Sequence, residues 1–289
     1  MPQSSLHLAI DIRNRIATIG LYDHSRWLAI RRIGVHPGRT PDEYAYFLRA
    51  MMGTSMGTEL AEERNKKKTS LPLQTAWISS VVPHATDAFI EAVRQEFGIE
   101  AGLIGPGVKT GLKIRTDTPG EVGADLVCAA VAAKQLCSVP CIIIDFGVAI
   151  TLSALNGAGE FVGAAIAPGL EASVEALKAN AAQLPEVKLA FPARAIGAST
   201  ADAIRSGVVL GAGGAVESLI SRFSIELHSS SVPHPLGGTD LQARSASPTI
   251  VGTGDLLGKE ILARLGHTTF EPYLVLDGIR IIAAMNLHR

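Results

Sequence analysis

The sequence predicts an α/β chain made of two similar halves, and three observations carry that expectation. Residues 142–151 form a β-branched apolar run into Asp145, then Phe146-Gly147, then a second apolar run that ends in a hydroxyl. A continuous apolar run of this kind reads as a strand buried on both faces. The same pattern opens the chain: residues 6–10 lead into Asp11, and residues 16–21 follow as the next strand, ending at Tyr22-Asp23-His24. An aspartate at the end of a buried strand is costly unless it is paired or holds a cation. Two such acids at equivalent places predict two strand–acid–strand units, each offering one carboxylate to a cleft. The third observation is size. With 289 residues, 47% of them hydrophobic, the chain can build one large domain or two similar lobes.

The remaining elements follow from local chemistry. Thr40-Pro41-Asp42-Glu43 opens a helix, with threonine as cap, proline at the first position and acids in the first turn; it runs through residues 44–52. Residues 53–68 are polar and end in Arg64-Asn65-Lys66-Lys67-Lys68. No aromatic is interleaved with that basic run, so it reads as a solvated loop. Residues 75–82 predict a strand ending in small hydroxyls, and residues 87–97 an amphipathic helix stopped at Gly98. The glycine-bearing loop at residues 106–111 lacks the Walker A spacing. An alanine-rich helix is predicted over residues 126–136. Asp125 before it reads either as an acid placed by the helix dipole or as a general base for a hydroxyl.

After residue 151 two more strands surround a tight Asn156-Gly157 turn. A helix is expected over residues 171–184, closed by Pro185, and another over 201–209, where Ser199 or Thr200 offers a cap or a substrate contact. The glycines of 211–214 precede a helix through His228. Residues 229–248 read as a polar, variable insertion. A short strand (249–254), a helix (258–265), a connection at Leu274–Gly278 and a closing helix (279–287) complete the chain.

Composition narrows the function classes. A net charge of -1 gives no reason to expect nucleic acid or an anionic membrane as partner. Asp11 and Arg13 interrupt the early apolar run, which is unlike a signal peptide. No apolar stretch reads as long enough to span a bilayer. Cys128, Cys137 and Cys141 fit no zinc spacing and read as reduced, buried thiols of a cytoplasmic protein.

The segments LAIDIRN, ISSVVP, GVKTGL, PGEVGAD, IDFGVAIT, GAAIAPGLEASVEAL, AAQLPEVKL, IGAST–SGVVLG and LVLDGIRIIAAMN occur in this order over nearly the whole chain. In that order they resemble the type III pantothenate kinases, a family that also contains the Bvg accessory factor proteins. The resemblance implies two ribonuclease-H-like lobes of the actin, Hsp70 and sugar kinase superfamily, here residues 1–138 and 139–289, with ATP in the cleft. It also implies ATP-dependent phosphorylation of pantothenate, assisted by Mg2+ and a monovalent cation, K+ or NH4+. A homodimer with the substrate site near the subunit interface is implied as well.

By the same resemblance Asp125 is the general base that takes the proton of the pantothenate hydroxyl. Thr116, Gly123, Ala124, Leu126 and Thr200 fall at substrate-binding positions, and Asp145 at the cation ligand. The first phosphate loop spans Asp11, Ile12, Arg13, Asn14, Arg15, Ile16, Ala17 and Thr18, and Val148 belongs to the second. Several positions depart from the family pattern. Its first loop reads Asp-x-Gly-Asn-Thr, where this chain has Arg13 and Arg15 in place of the glycine and the threonine. Val148 replaces a threonine of the second loop, Leu126 an arginine, and Asp255 a late glycine. The retained acids favour a divergent working kinase. The alternative is a catalytically inactive relative that acts as a ligand-sensing or regulatory dimer.

Overall fold

The computed structural model of the chain describes residues 6–24, 26–55, 73–180, 184–229 and 247–287. The basic run 64–68 and nearly all of the polar segment 229–248 lie outside these residues. Two compact units emerge. The first takes in the chain up to Gly111, Gly120–Val131 and the stretch from Val275 onward. The second takes in Leu112–Pro119 and Ala132–Leu274.

The first unit is built on strands β1 (Leu6–Ile12), β2 (Ile16–Asp23), β3 (Arg26–Gly34), β4 (Leu73–Ser80) and β5 (Ala101–Leu103), in the spatial order β3-β2-β1-β4-β5. β1 is antiparallel to β2 and parallel to β4. As the central strand it is buried at every position, which is why it lacks apolar–polar alternation. Helices α1 (Pro41–Ser55) and α2 (Pro83–Phe97) add Tyr44, Leu48, Phe89 and Val93 to a core of Leu8, Ile10, Ile19 and Ile78. The start of α1 is a capping box: Thr40 N donates to Glu43 Oε2 at 2.8 Å, and Glu43 N donates to Thr40 Oγ1 at 3.4 Å. α2 begins four residues earlier than periodicity suggested, with Pro83 at its start. Proline is tolerated there because its missing N–H has no helical partner to lose.

Helix α3 (Ala124–Leu136) and the closing helix α8 (Leu274–Asn286) meet at one point, where Gly278 lies on the backbone of Cys128. Any Cβ at 278 would run into the Cys128 carbonyl. The sequence reading took Asp277-Gly278 as a connection ahead of the helix. The glycine is instead inside the helix, and it is required by close approach rather than by a turn.

The second unit carries β6 (Cys141–Phe146), β7 (Ala149–Leu155), β8 (Phe161–Pro168) and β9 (Thr249–Gly254), in the order β8-β7-β6-β9. β6 is antiparallel to β7 and parallel to β9. The β7–β8 connection is longer than the two-residue turn expected. Asn156 Oδ1 accepts the N–H groups of Ala158 and Glu160, both at 3.0 Å, and folds a wider loop around itself. Helix α4 (Leu170–Asn180) follows.

Helix α5 (Thr200–Arg205), a π-helical turn (Ser206–Leu210) and α6 (Gly211–Ser229) run without interruption. The glycines at 211–214 therefore do not separate two helices. Val208, Val209, Val216 and Ile220 anchor this stretch to the core of Ile142, Ile144 and Leu152, and that packing outweighs the low helix propensity of glycine. As one piece, Thr200–His228 spans 29 residues with a mean hydropathy of 1.3 in its most apolar window. By length and composition alone it could cross a membrane, which corrects the expectation that no stretch is long enough. Helix α7 (Leu256–Arg264) completes the unit.

Both sheets follow one plan: an antiparallel meander, with a crossover strand laid parallel to its first strand. This is the two-lobed, ribonuclease-H-like α/β fold class that the sequence predicts.

Candidate active site

The two acids that organise the sequence occupy matching places, each within its own unit. Asp11 is the sixth of seven residues in β1, and its register partners are Thr18 on β2 and Ser79 on β4. Asp145 is the fifth of six residues in β6, and its partners are Thr151 on β7 and Thr253 on β9. Each buried carboxylate is thus flanked by a hydroxyl residue on both neighbouring strands. The next residue repeats the match. Ile12 O accepts from Val81 N at 3.1 Å, and Phe146 O accepts from Asp255 N at 2.8 Å. The donors lie two residues beyond Ser79 and two beyond Thr253. The flanking hydroxyls escaped the sequence reading as a set. Their signal was present in the strand ends Ser79-Ser80 and Thr253-Gly254, but register cannot be read without the sheet.

The first loop, Ile12–Ile16, is tight: Arg13 N donates to Ile16 O at 3.1 Å and Val35 N to Arg15 O at 2.8 Å. Arg13 folds back on the acid, its Nε 2.7 Å from Asp11 Oδ2. The Asp11 side chain is 5% exposed and that of Arg13 26%. Asn14, Arg15 and Ile16 are exposed, Ala17 is buried and Thr18 half-buried. This loop does not fit a divalent ion held by both oxygens of Asp11, because the Arg13 guanidinium already holds Oδ2. Among the described residues no three His, Cys, Asp or Glu side chains converge on a metal-binding position.

The second loop closes with Gly147 N donating to Ala149 O, and Gly169 N to Val148 O, each at 3.0 Å. Val148 is 39% exposed. Gly254, at φ +94°, lies against the Phe146 carbonyl and the Asp145 carboxylate, where a Cβ has no room.

Asp125 is the second residue of α3 and half-buried. Its Oδ1 accepts from Leu126 N at 2.9 Å, and Gly123 O accepts from Val127 N at 3.1 Å. Gly123 leaves room for the carboxylate: a Cβ there would sit 2.5 Å from Asp125 Oδ1. Ala124 and Leu126 are half-buried beside it. The first unit brings Asp125, Asp11 and Arg13 near one buried thiol. Burial holds the Cys128 pKa well above its ordinary value. The Asp11 carboxylate raises it further, a hydrogen bond with Ser79 lowers it, Asp125 raises it, and Arg13 lowers it. The expectation of buried thiols holds for Cys128 and Cys141, but Cys137 is half-exposed.

Two further candidates lie in the second unit. Thr116 Oγ1 is buried and has no hydrogen-bond partner among the described residues. The segment before it is pinned to β8, with Arg115 N donating to Phe161 O and Phe161 N to Lys113 O, both at 2.8 Å. Thr200 is exposed at the first position of α5. The cap is Ser199, whose Oγ accepts from Asp202 N at 3.2 Å.

Comparison with known proteins bears on the family and the fold. A family model described as type III pantothenate kinase matches residues 7–222. A Streptomyces coelicolor protein named type III pantothenate kinase is 35% identical over 285 residues, covering 98% of this chain and 99% of its own. A Moorella thermoacetica protein of the same name is 34% identical over 279 residues, covering 96% and 99%. Among solved structures, a Campylobacter jejuni protein described as a conserved Baf family transcriptional activator superposes with a TM-score of 0.56 at 14% identity. That alignment covers 98% of this chain and all of the other, and it shows a common fold. Matched by the family model over most of its length and by relatives end to end, the chain belongs to the type III pantothenate kinase family.

Proposed function

We propose that the protein transfers the γ-phosphoryl group of ATP to the hydroxyl of pantothenate, giving 4'-phosphopantothenate, the first step of coenzyme A synthesis. The observation that carries this reading is the retention of Asp11, Asp125 and Asp145 on a chain whose relatives match it end to end. Phosphoryl transfer needs positioned charge and an activated hydroxyl more than covalent chemistry. Asp125 is the general base: its carboxylate is oriented by the Leu126 N–H at the start of a helix and takes the substrate proton. Gly123 and Ala124 shape the approach to it. Thr116, with a buried hydroxyl that has no partner among the described residues, and Thr200, at an exposed helix start, offer hydroxyls to pantothenate. Leu126 stands where a family cation would help hold the substrate.

For the phosphates of ATP, the loop from Asp11 to Thr18 in the first unit and the backbone around Val148 in the second are each a candidate contact. Mg2+ enters on those phosphates, its common mode in phosphotransferases. A monovalent cation, K+ or NH4+, fits the oxygen-rich surroundings of Asp145, whose register partners are Thr151 and Thr253. Three cysteines without a disulfide suit a cytoplasmic protein. A homodimer is supported by β8, an edge strand that exposes Val162 and Ile166 on its outward face.

The test is direct. The purified chain is incubated with ATP, magnesium, potassium and pantothenate, and phosphopantothenate is sought by mass. Asp125→Asn is run beside it and is expected to lower turnover about 100- to 10,000-fold. Absence of product from the unaltered chain at saturating ATP sinks the kinase reading and leaves the inactive, ligand-binding relative.

A further inference from the structure

The first phosphate loop contains an ion pair that the proposed reaction does not require. Asp11 is almost wholly buried at the end of β1, and the guanidinium of Arg13 reaches back from the turn to hold it, with Nε 2.7 Å from Oδ2. The pair is fixed from both sides. Asp11 lies between Thr18 and Ser79 in the middle of the sheet, and the Arg13 backbone is tied across the turn to Ile16 O. Only Ile12 separates donor and acceptor in the sequence. The Arg13 side chain nevertheless remains 26% exposed.

We infer that Arg13 is the resident cation of this loop: its guanidinium takes the seat on Asp11 that a divalent ion would otherwise occupy. Three physical points support the assignment. The guanidinium already occupies Oδ2, so a divalent ion can take both oxygens of Asp11 only by displacing the arginine. A neighbouring positive charge lowers the attraction of any carboxylate for a second cation. Arginine stays charged at every accessible pH, so acidification does not vacate the seat. The Arg13 guanidinium also keeps a fixed positive charge in this phosphate loop, where planar N–H groups are well suited to phosphate oxygens.

This deepens the kinase reading, but its test needs no turnover. Mn2+ alone is titrated into the full-length protein, without nucleotide, and bound ion is followed by the loss of the free Mn2+ paramagnetic resonance signal. The unaltered chain should show no site that depends on Asp11, so its binding curve should match that of Asp11→Asn. Arg13→Gln keeps the bulk and a polar head but removes the charge, and it should bind Mn2+ about tenfold or more tightly. Adding Asp11→Asn to Arg13→Gln should abolish that gain. Arg13→Lys serves as a second variant: it retains a cation at the loop and should gain less than Arg13→Gln. The inference is overturned if the unaltered chain binds Mn2+ at a site that Asp11→Asn removes. It is equally overturned if Arg13→Gln binds no better than the unaltered chain, or if its gain survives Asp11→Asn. An inactive protein can pass this test and an active one can fail it, so the two readings fail separately.

Discussion

A carboxylate that accepts a proton must be held still; the Leu126 N–H helps hold Asp125, and Gly123 leaves room for its carboxylate. His7 is buried at the far end of β1 from Asp11, its Nδ1 2.7 Å from Thr75 Oγ1 and its ring 5.1 Å from that of Tyr22. Burial lowers its pKa below the usual 6.5, with Asp23 opposing the shift and His24 adding to it. The sign of the pH effect follows. Between the lowered folded value and 6.5, the unfolded chain binds the proton and the folded chain does not. Stability is therefore full above about pH 6.5 and declines as the pH falls towards the folded value. Chemical denaturation at about pH 7.5 and about pH 5.5 should show this decline. His7→Gln should flatten it, and an unchanged slope in that variant would assign the effect to other groups.

At the scale of elements, the hairpin strands and the capped start of α1 were legible because their signals are local. Thr40, Pro41 and Glu43 lie within one turn, and the acids at 11 and 145 end uninterrupted apolar runs. What was not legible depends on partners distant in sequence. Gly278 looks like a turn residue until the backbone of Cys128 is found beneath it, and Gly211–Gly214 look like a break until Val209 and Val216 are seen anchored in one core. The candidate site divides in the same way. The acids announced themselves, whereas the hydroxyls of Thr18, Ser79, Thr151 and Thr253 join them only through strand register. The α3–α8 contact has a measurable consequence. Gly278→Ala forces a methyl group onto a carbonyl and should destabilise the chain by about 1–3 kcal/mol or more, read from denaturant midpoints. A change within a few tenths of a kcal/mol would mean that the helices separate freely there.

For the whole molecule, the open question is how the apolar edge is covered. After the buried Phe161, β8 alternates exposed and half-buried positions, and its outward face leaves Ile166 72% exposed. If a second copy covers that strip, Ile166→Asp should convert a two-chain particle into a single chain in sedimentation equilibrium, with the helical and strand content unchanged by circular dichroism. A variant that still sediments at the unaltered mass would move the dimer contact elsewhere.

The π-helical turn at Ser206–Leu210 fixes an azimuth. Such a turn is the trace of one extra residue lodged in an α-helix, and each residue advances the helix by about 100°. Upstream lies Thr200, exposed at the first position of α5; downstream lie Val216 and Ile220, fixed in the core. The turn thus lies between the end that carries the Thr200 hydroxyl and the residues that fix the helix in the core, and its length sets the angle between them. In this chain the direction in which a candidate substrate ligand points is written in the length of a helix as much as in the identity of its side chains.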